Sequence, residues 1–145
     1  MQISEIMTRA PACGVPESRL EEIARLMVQK DCGAIPIVED RESRRLVGVV
    51  TDRDITCRSL ANSRDPMELT ANDVMTTILF TVTPDATLEE CCELMEKKQV
   101  RRMIVVDAKG ACVGIVAQAD IARVAPESET AELVKDVSKS AFATA

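Results

Sequence analysis

Histidine, tryptophan and tyrosine are all absent from the 145-residue chain, and its only aromatic residues are Phe80 and Phe142. Without histidine the commonest general base is missing, which excludes Ser-His and Cys-His nucleophilic schemes. It also excludes a Cys/His zinc site. The six cysteines include no C-x-x-C pair, so an all-cysteine site has no ligand-like spacing behind it. Two phenylalanines give no platform on which bases of a single strand could stack. Basic residues are outnumbered, 18 Lys and Arg against 24 Asp and Glu for a net charge of −6, which disfavours nucleic acid as a partner. The five glycines are scattered and build no phosphate-cradling loop. No activated nucleophile stands out either, so a non-enzyme is expected. No apolar run approaches the ~18 residues a membrane helix needs. The start, Met1-Gln2-Ile3-Ser4-Glu5, lacks a basic segment followed by an apolar one. The expectation is a cytoplasmic protein with no membrane partner.

What the chain does contain is an internal repeat. Displaced by 68 positions, Met7-Thr8 falls on Met75-Thr76, Pro16 on Pro84, Leu20-Glu21-Glu22 on Leu88-Glu89-Glu90, and Leu26-Met27 on Leu94-Met95. Displaced by 66, Val47-Gly48, Val50 and Asp54-Ile55 fall on Val113-Gly114, Val116 and Asp120-Ile121. The two-residue difference lies in the polar loop Glu39 to Arg45, where insertions are tolerated. A chain of this length holds one domain or two small halves sharing a core, and a single repeat would be marginal alone.

Each repeat reads as strand, helix, strand, strand, helix, an α/β pattern. After the Met-Thr pair an extended segment ends in a proline turn at Val15-Pro16-Glu17 or Thr83-Pro84-Asp85. Leu20, Ile23, Ala24 and Met27 then recur at helical spacing, as do Leu88, Cys91, Cys92 and Met95. Two short apolar runs follow, Ala34 to Val38 and Leu46 to Val50, echoed by Met103 to Val106 and Cys112 to Val116. A second helix begins near Asp52 and near Gln118. These readings divide the chain into a first repeat (1–60), a linker (61–72), a second repeat (73–125) and a C-terminal tail (126–145). In the tail, Glu127 to Ser138 is expected to be a helix with Ala131, Val134 and Val137 on one face, and a plausible dimer element.

The ordered signature resembles the CBS (cystathionine β-synthase) domain in its tandem form, the Bateman module. It runs Met-Thr, Pro-(Glu/Asp)-x-x-Leu-Glu-Glu, a Leu-Met helix, then Ala34-Ile35-Pro36-Ile37-Val38 or Arg102-Met103-Ile104-Val105-Val106, and last Gly-hydrophobic-Val-x-x-x-Asp-Ile. The resemblance covers residues 3 to 125. It implies two repeats packed with pseudo-twofold symmetry, inter-repeat clefts that take an adenosine-containing ligand (AMP, ADP, ATP or S-adenosylmethionine), and a homodimer. No cofactor is required. The expected function is a regulatory module that signals to an effector protein not identified by the sequence; the alternative is a ligand-free dimerisation or scaffold protein.

The resemblance also nominates residues. Asp54 and Asp120 match the family carboxylate that accepts hydrogen bonds from ribose hydroxyls, a role open to any ionised carboxylate. Equally, each is an acidic residue in a first helical turn, where the helix dipole favours it. Thr51 matches the family hydroxyl that supports ribose or phosphate, and is also a good helix N-cap; Ala117 replaces it in the second repeat. Arg101 and Arg102, aligned with the uncharged Gly33 and Ala34, match basic positions that meet phosphate, though a charged pair also protects a strand edge. Cys13 and Thr81 hold equivalent positions bordering the two clefts, and Arg53 is a further phosphate candidate. Cys91 and Cys92 stand where Ile23 and Ala24 stand in the other repeat, so they read as core filling. Arg44 and Arg45, in the unequal loop, read as solvated.

Overall fold

The apolar stripes become two equivalent helices, α1 (Leu20–Lys30) and α4 (Leu88–Lys98). Leu20, Ile23 and Met27 are buried on the first, and Leu88, Cys91, Cys92 and Met95 on the second. The helix starts differ. Thr87 caps α4 in a reciprocal box, accepting from Glu90 N–H while the Glu90 carboxylate accepts from Thr87 N–H. Arg19 offers α1 no such cap. The ends are alike: Asp31 and Gln99, 68 positions apart, both take a left-handed conformation and donate their N–H groups to the last-turn carbonyls.

The computed structural model describes residues 1–124 and 131–137. Six strands accompany the helices: β1 (Thr8–Arg9), β2 (Ala34–Val38), β3 (Leu46–Thr51), β4 (Thr81–Val82), β5 (Arg102–Val106) and β6 (Cys112–Ala117). Short helices α2 (Asp52–Arg58) and α5 (Gln118–Ala122) follow β3 and β6, and α3 (Ala71–Val74) runs from the end of the linker into the second repeat. In one sheet the order is β1-β6-β5-β4, with β1 antiparallel to β6 and β4 parallel to β5. The other pairs β2 with β3, and single bridges extend it: Thr76 beside Val49 on β3, and Gly14 beside Ile37 on β2. Both repeats therefore use the same strand order, one with its outer segments reduced to bridges.

Two compact lobes result, and their edges are not those of the sequence repeats. One contains Pro11–Leu79 with Lys109–Cys112; the other contains Met1–Ala10, Phe80–Ala108 and the described residues from Val113 onward. Each lobe thus takes the Met-Thr segment of the other repeat against its own last strand. The reason is a glycine. A side chain at Gly48 would lie 2.6 Å from the Met75 sulfur and 3.2 Å from the Thr76 carbonyl, and Gly114 holds Met7 and Thr8 in the same way. Only glycine lets the crossing segment come this close.

The first-repeat lobe has a core of Leu20, Ile23, Met27, Ile35, Ile37 and Val50, completed by Leu69 and Ala71 from the linker and Val74 from the start of the second repeat. In the other lobe, Cys91 and Cys92 are buried beside Met95, Met103 and Val116, as core-filling residues. Burial pushes the Cys91 thiol up to about 11. The chain is helical over 131–137, but the face it buries is Leu133 and Val137. Ala131 and Val134, expected on that face, are exposed, because an i, i+4 pair covers the core and Val134 points off it. The rest of the tail, including residues 127–130 and 138, lies outside the described residues.

Candidate functional site

At the end of β3 and of β6 the backbone makes the same turn into a helix. Thr51 has φ −108 and ψ 163; Ala117 has φ −109 and ψ 162. The side chains make the two turns chemically unequal. Asp54 Oδ2 accepts from Thr51 N–H at 2.9 Å, and Asp54 N–H donates to Thr51 Oγ1 at 3.1 Å, a complete capping box. Thr76 Oγ1 donates to both Asp54 oxygens at 3.3 and 3.4 Å, and Arg58 Nε stands 3.8 Å from Oδ1. Asp120 makes only the return half: its Oδ2 accepts from Ala117 N–H at 2.8 Å, and Ala117 has no hydroxyl to give back. Beyond that, Asp120 Oδ1 faces Arg123 at 3.6 Å. Both carboxylates are largely covered, 13% and 17% exposed. Asp120 keeps more acceptor capacity for a further donor.

Of the basic candidates, Arg101 is tied to the Asp120 turn through its backbone. Gln118 N–H donates to the Arg101 carbonyl at 3.1 Å, tying Arg101 to the start of α5, and Arg102 opens the neighbouring strand. Asp52 N–H donates to the Gly33 carbonyl in the same way at the other turn, where no charge precedes β2. Arg101 and Arg102 are exposed, and their side chains have no ion-pair partner among the described residues. Arg53 is likewise exposed on α2.

Sequence reasoning missed Gln118, whose buried Nε2 has no hydrogen-bond partner among the described residues. An orphaned amide donor is costly unless something accepts from it. It sits one residue past Ala117, in a position filled by the exposed Asp52 in the other repeat. Thr76 was also missed, because its approach to Asp54 depends on the crossing of the Met-Thr segment.

Thr81 and Cys13 lie elsewhere. Each lines a cavity along the first helix of its repeat, of ≈ 470 Å³ and ≈ 300 Å³ respectively. The linings correspond at the repeat spacing (Ser18 with Ala86, Glu22 with Glu90, Leu26 with Leu94), and neither contains Asp54 or Asp120. Cys13 is buried and bonded. Its Sγ is 3.2 Å from the Pro11 carbonyl and accepts from Arg44 Nη2 at 3.2 Å. Arg44 is therefore not solvated as expected. It stands at φ 54, and its Nε donates to the Cys112 carbonyl at 3.2 Å while its own carbonyl accepts from Cys112 N–H at 2.8 Å. Arg45 does face solvent and pairs with Glu39 at 2.8 Å. The only sequence signal for Arg44 was the two-residue excess of its loop.

Among the described residues, one group could hold a metal ion: Glu96, Glu132 and Asp136, with oxygens within 4.8 Å of one another. It is an all-carboxylate set, suited to hard cations. No helix of the described residues is long and apolar enough to cross a membrane.

Comparison with known proteins places these turns in context. The pattern of the CBS domain matches twice, at residues 3–59 and 71–127. Hypoxic response protein 1 of Mycobacterium tuberculosis is 37% identical over 133 residues, 92% of this chain and 91% of that protein. A crystal structure of Hypoxic Response Protein I with two coordinated zinc ions superposes with a TM-score of 0.77 at 36% identity, covering 87% of this chain and all of that one. The CBS domain pair of protein MJ0100, solved with 5′-methylthioadenosine and S-adenosylmethionine, gives 0.75 at 27% identity, with 86% and 94% coverage. CBSX2 in complex with AMP gives 0.72 at 25% identity, with 86% and 95% coverage.

Proposed function

The chain belongs to the CBS domain family as a tandem pair, and from that premise we propose that it is a regulatory module binding an adenosine-containing ligand, AMP, ADP, ATP or S-adenosylmethionine. The ligand-bound state is read by a partner protein, and the module itself is not an enzyme. What carries the reading is the Asp120 turn. There a covered carboxylate has one oxygen in the cap and the other turned to a single exposed arginine, and the Gln118 N–H ties the turn to Arg101, which with Arg102 is exposed and has no ion-pair partner among the described residues. Ribose hydroxyls would donate to Asp120, and Arg101 and Arg102 would meet phosphate or carboxylate oxygens, for which a guanidinium fork is well shaped. The unpartnered Gln118 amide adds a donor at the same place. Asp54, with Thr51 and Arg53, offers a second and more occupied position; Thr81 and Cys13 border their own cavities. Two relatives of known structure carry adenosyl ligands, which supports the ligand class.

A scaffold reading keeps one specific support: both carboxylates already serve as helix caps, which is reason enough for aspartate at these positions. Calorimetric titration with AMP, ATP and S-adenosylmethionine, beside Asp120→Ala, separates the two. Micromolar binding lost in the variant supports a sensor centred on the second repeat. Absence of heat with all three ligands refutes the sensor and leaves the scaffold.

A further inference from the structure

Cys13, Arg44 and Cys112 form a cluster whose thiol chemistry plays no part in the adenosyl reading, where Cys13 only borders a cavity, and all three belong to the same lobe. Arg44 is clamped to Cys112 at both ends of its residue: its carbonyl accepts from Cys112 N–H, and its Nε donates to the Cys112 carbonyl. The same guanidinium donates from Nη2 to Cys13 Sγ at 3.2 Å and to the Pro11 carbonyl at 3.0 Å. The Cys112 thiol hydrogen-bonds Cys13 directly. Arg41 adds a second cation, donating to the Cys13 carbonyl at 3.3 Å. Arg44 holds φ 54, a conformation side-chain-bearing residues adopt sparingly, and the loop that imposes it has no counterpart of equal length in the second repeat. The ≈ 300 Å³ cavity reaches Cys13. That is ample for a peroxide little larger than water, whose share of liquid volume is about 30 Å³.

We propose that Cys13 and Cys112 are a peroxide-responsive dithiol, with Cys13 as the attacking sulfur, Cys112 as the resolving one and Arg44 as the group that positions both. The Cys13 thiolate attacks one oxygen of a hydroperoxide. An S–O bond forms as the O–O bond breaks, and the departing hydroxide or alkoxide takes a proton. The Cys112 sulfur then attacks the Cys13 sulfenic acid. An S–S bond forms, the S–O bond breaks, and the Cys112 proton leaves with the oxygen as water. Two thiols give two electrons, and one peroxide is reduced. The Cys112 hydrogen bond, then the Arg44 and Arg41 charges, bring the Cys13 thiol from 9.0 to about 7 against the opposing effect of burial. At pH 7 this raises the thiolate fraction about fiftyfold, and the lower intrinsic nucleophilicity takes back about eightfold, leaving a net gain of about sixfold.

The test is mass spectrometry of the reduced full chain after brief treatment with hydrogen peroxide at pH 7 and alkylation of the remaining thiols. The expected first product is an intramolecular disulfide joining the Cys13 and Cys112 peptides, with Cys32, Cys57, Cys91 and Cys92 alkylated. Cys112→Ser should instead leave Cys13 as a sulfenic acid trapped by dimedone. Arg44→Gln, which keeps the Cys112 hydrogen bond, should slow oxidation about two- to threefold. Oxidation falling first on the exposed Cys32 or Cys57, with Cys13 and Cys112 still alkylatable, overturns the proposal. So does an unchanged rate in Arg44→Gln for the role of the arginine. No nucleotide enters the assay, so its result is independent of the ligand reading.

Discussion

Two turns with the same backbone and different side chains invite a reciprocal exchange. Thr51 and Ala117 differ by one degree in each of φ and ψ, so the rotamer that caps α2 is geometrically open to a threonine at 117. Ala117→Thr should supply the missing acceptor for Asp120 N–H and close the half-made box. Thr51→Ala should open the complete one. An N-cap hydroxyl contributes about 1 kcal/mol over alanine, so the expected changes are a gain and a loss of about that size. For a chain of this length that corresponds to about 3 °C in melting temperature. Urea denaturation is the assay, because a shift in midpoint at constant slope reports stability rather than a change in the surface exposed. The hydroxyl has a second lone pair and a proton to offer. If it also supports ligand, Ala117→Thr should tighten AMP binding by up to about tenfold, the worth of one hydrogen bond. A midpoint that stays put or falls in Ala117→Thr, at unchanged slope, would falsify the claim that the two turns are interchangeable.

Other expectations follow from named contacts. Gly48→Ala pushes a methyl to 2.6 Å from the Met75 sulfur and 3.2 Å from the Thr76 carbonyl. The thioether can swing away but the carbonyl cannot, so a loss of about 1–3 kcal/mol should appear in denaturation. It should also weaken the Thr76 bond to Asp54. Stability should rise with pH between about 7 and 9 and fall between about 9 and 11 under reducing conditions. Cys13 titrates lower when folded, so in the first window the unfolded chain holds more protons. Cys91 titrates higher when folded, so its contribution is intact below 9 and is lost as pH rises toward 11. Each limb amounts to at most about 3 kcal/mol, and Cys91→Ala should flatten the upper one in midpoint measurements across pH.

The helices and strands were legible because their signals are local. Leu20, Ile23 and Met27 mark one helix face by spacing alone, and Gly48 and Gly114 open their β-branched runs in register. The carboxylates at the two turns were legible as positions, since the repeat singles them out. Their partners were not. Thr76 reaches Asp54 only because the Met-Thr segment crosses, and nothing in the spacing of Met75-Thr76 says which strand it will meet. Arg44 read as a solvated charge because a polar loop gives no hint that one residue will turn left-handed and aim inward. Ala131 and Val134 were placed on the buried face by an apolar pattern in which Leu133 competes, and packing chose Leu133 with Val137.

That crossing makes the repeat and the folding unit different objects, and fragments can tell them apart. A piece cut at the edge of the first repeat, residues 1–60, keeps α1, β2, β3 and α2 but loses Leu69, Ala71 and Val74, which are 7%, 0% and 0% exposed in the core of the lobe. It also loses Met75 and Thr76, which cover Gly48 and bond Asp54. Burial of a leucine or valine side chain contributes about 1.5–3 kcal/mol. The missing pair alone therefore removes about 3–6 kcal/mol, against a total of about 5–15 kcal/mol for a whole domain and less for one this small. Residues 11–79 contain every buried residue of that core and omit only the short Lys109–Cys112 segment of the lobe. The fragment 11–79 should accordingly unfold cooperatively in urea, followed by circular dichroism, while 1–60 shows no transition. Equal behaviour of the two would mean that the stretch after Ser59 only connects the repeats. A cooperative transition in 1–60 alone would mean that the duplicated sequence, rather than the lobe, is what folds.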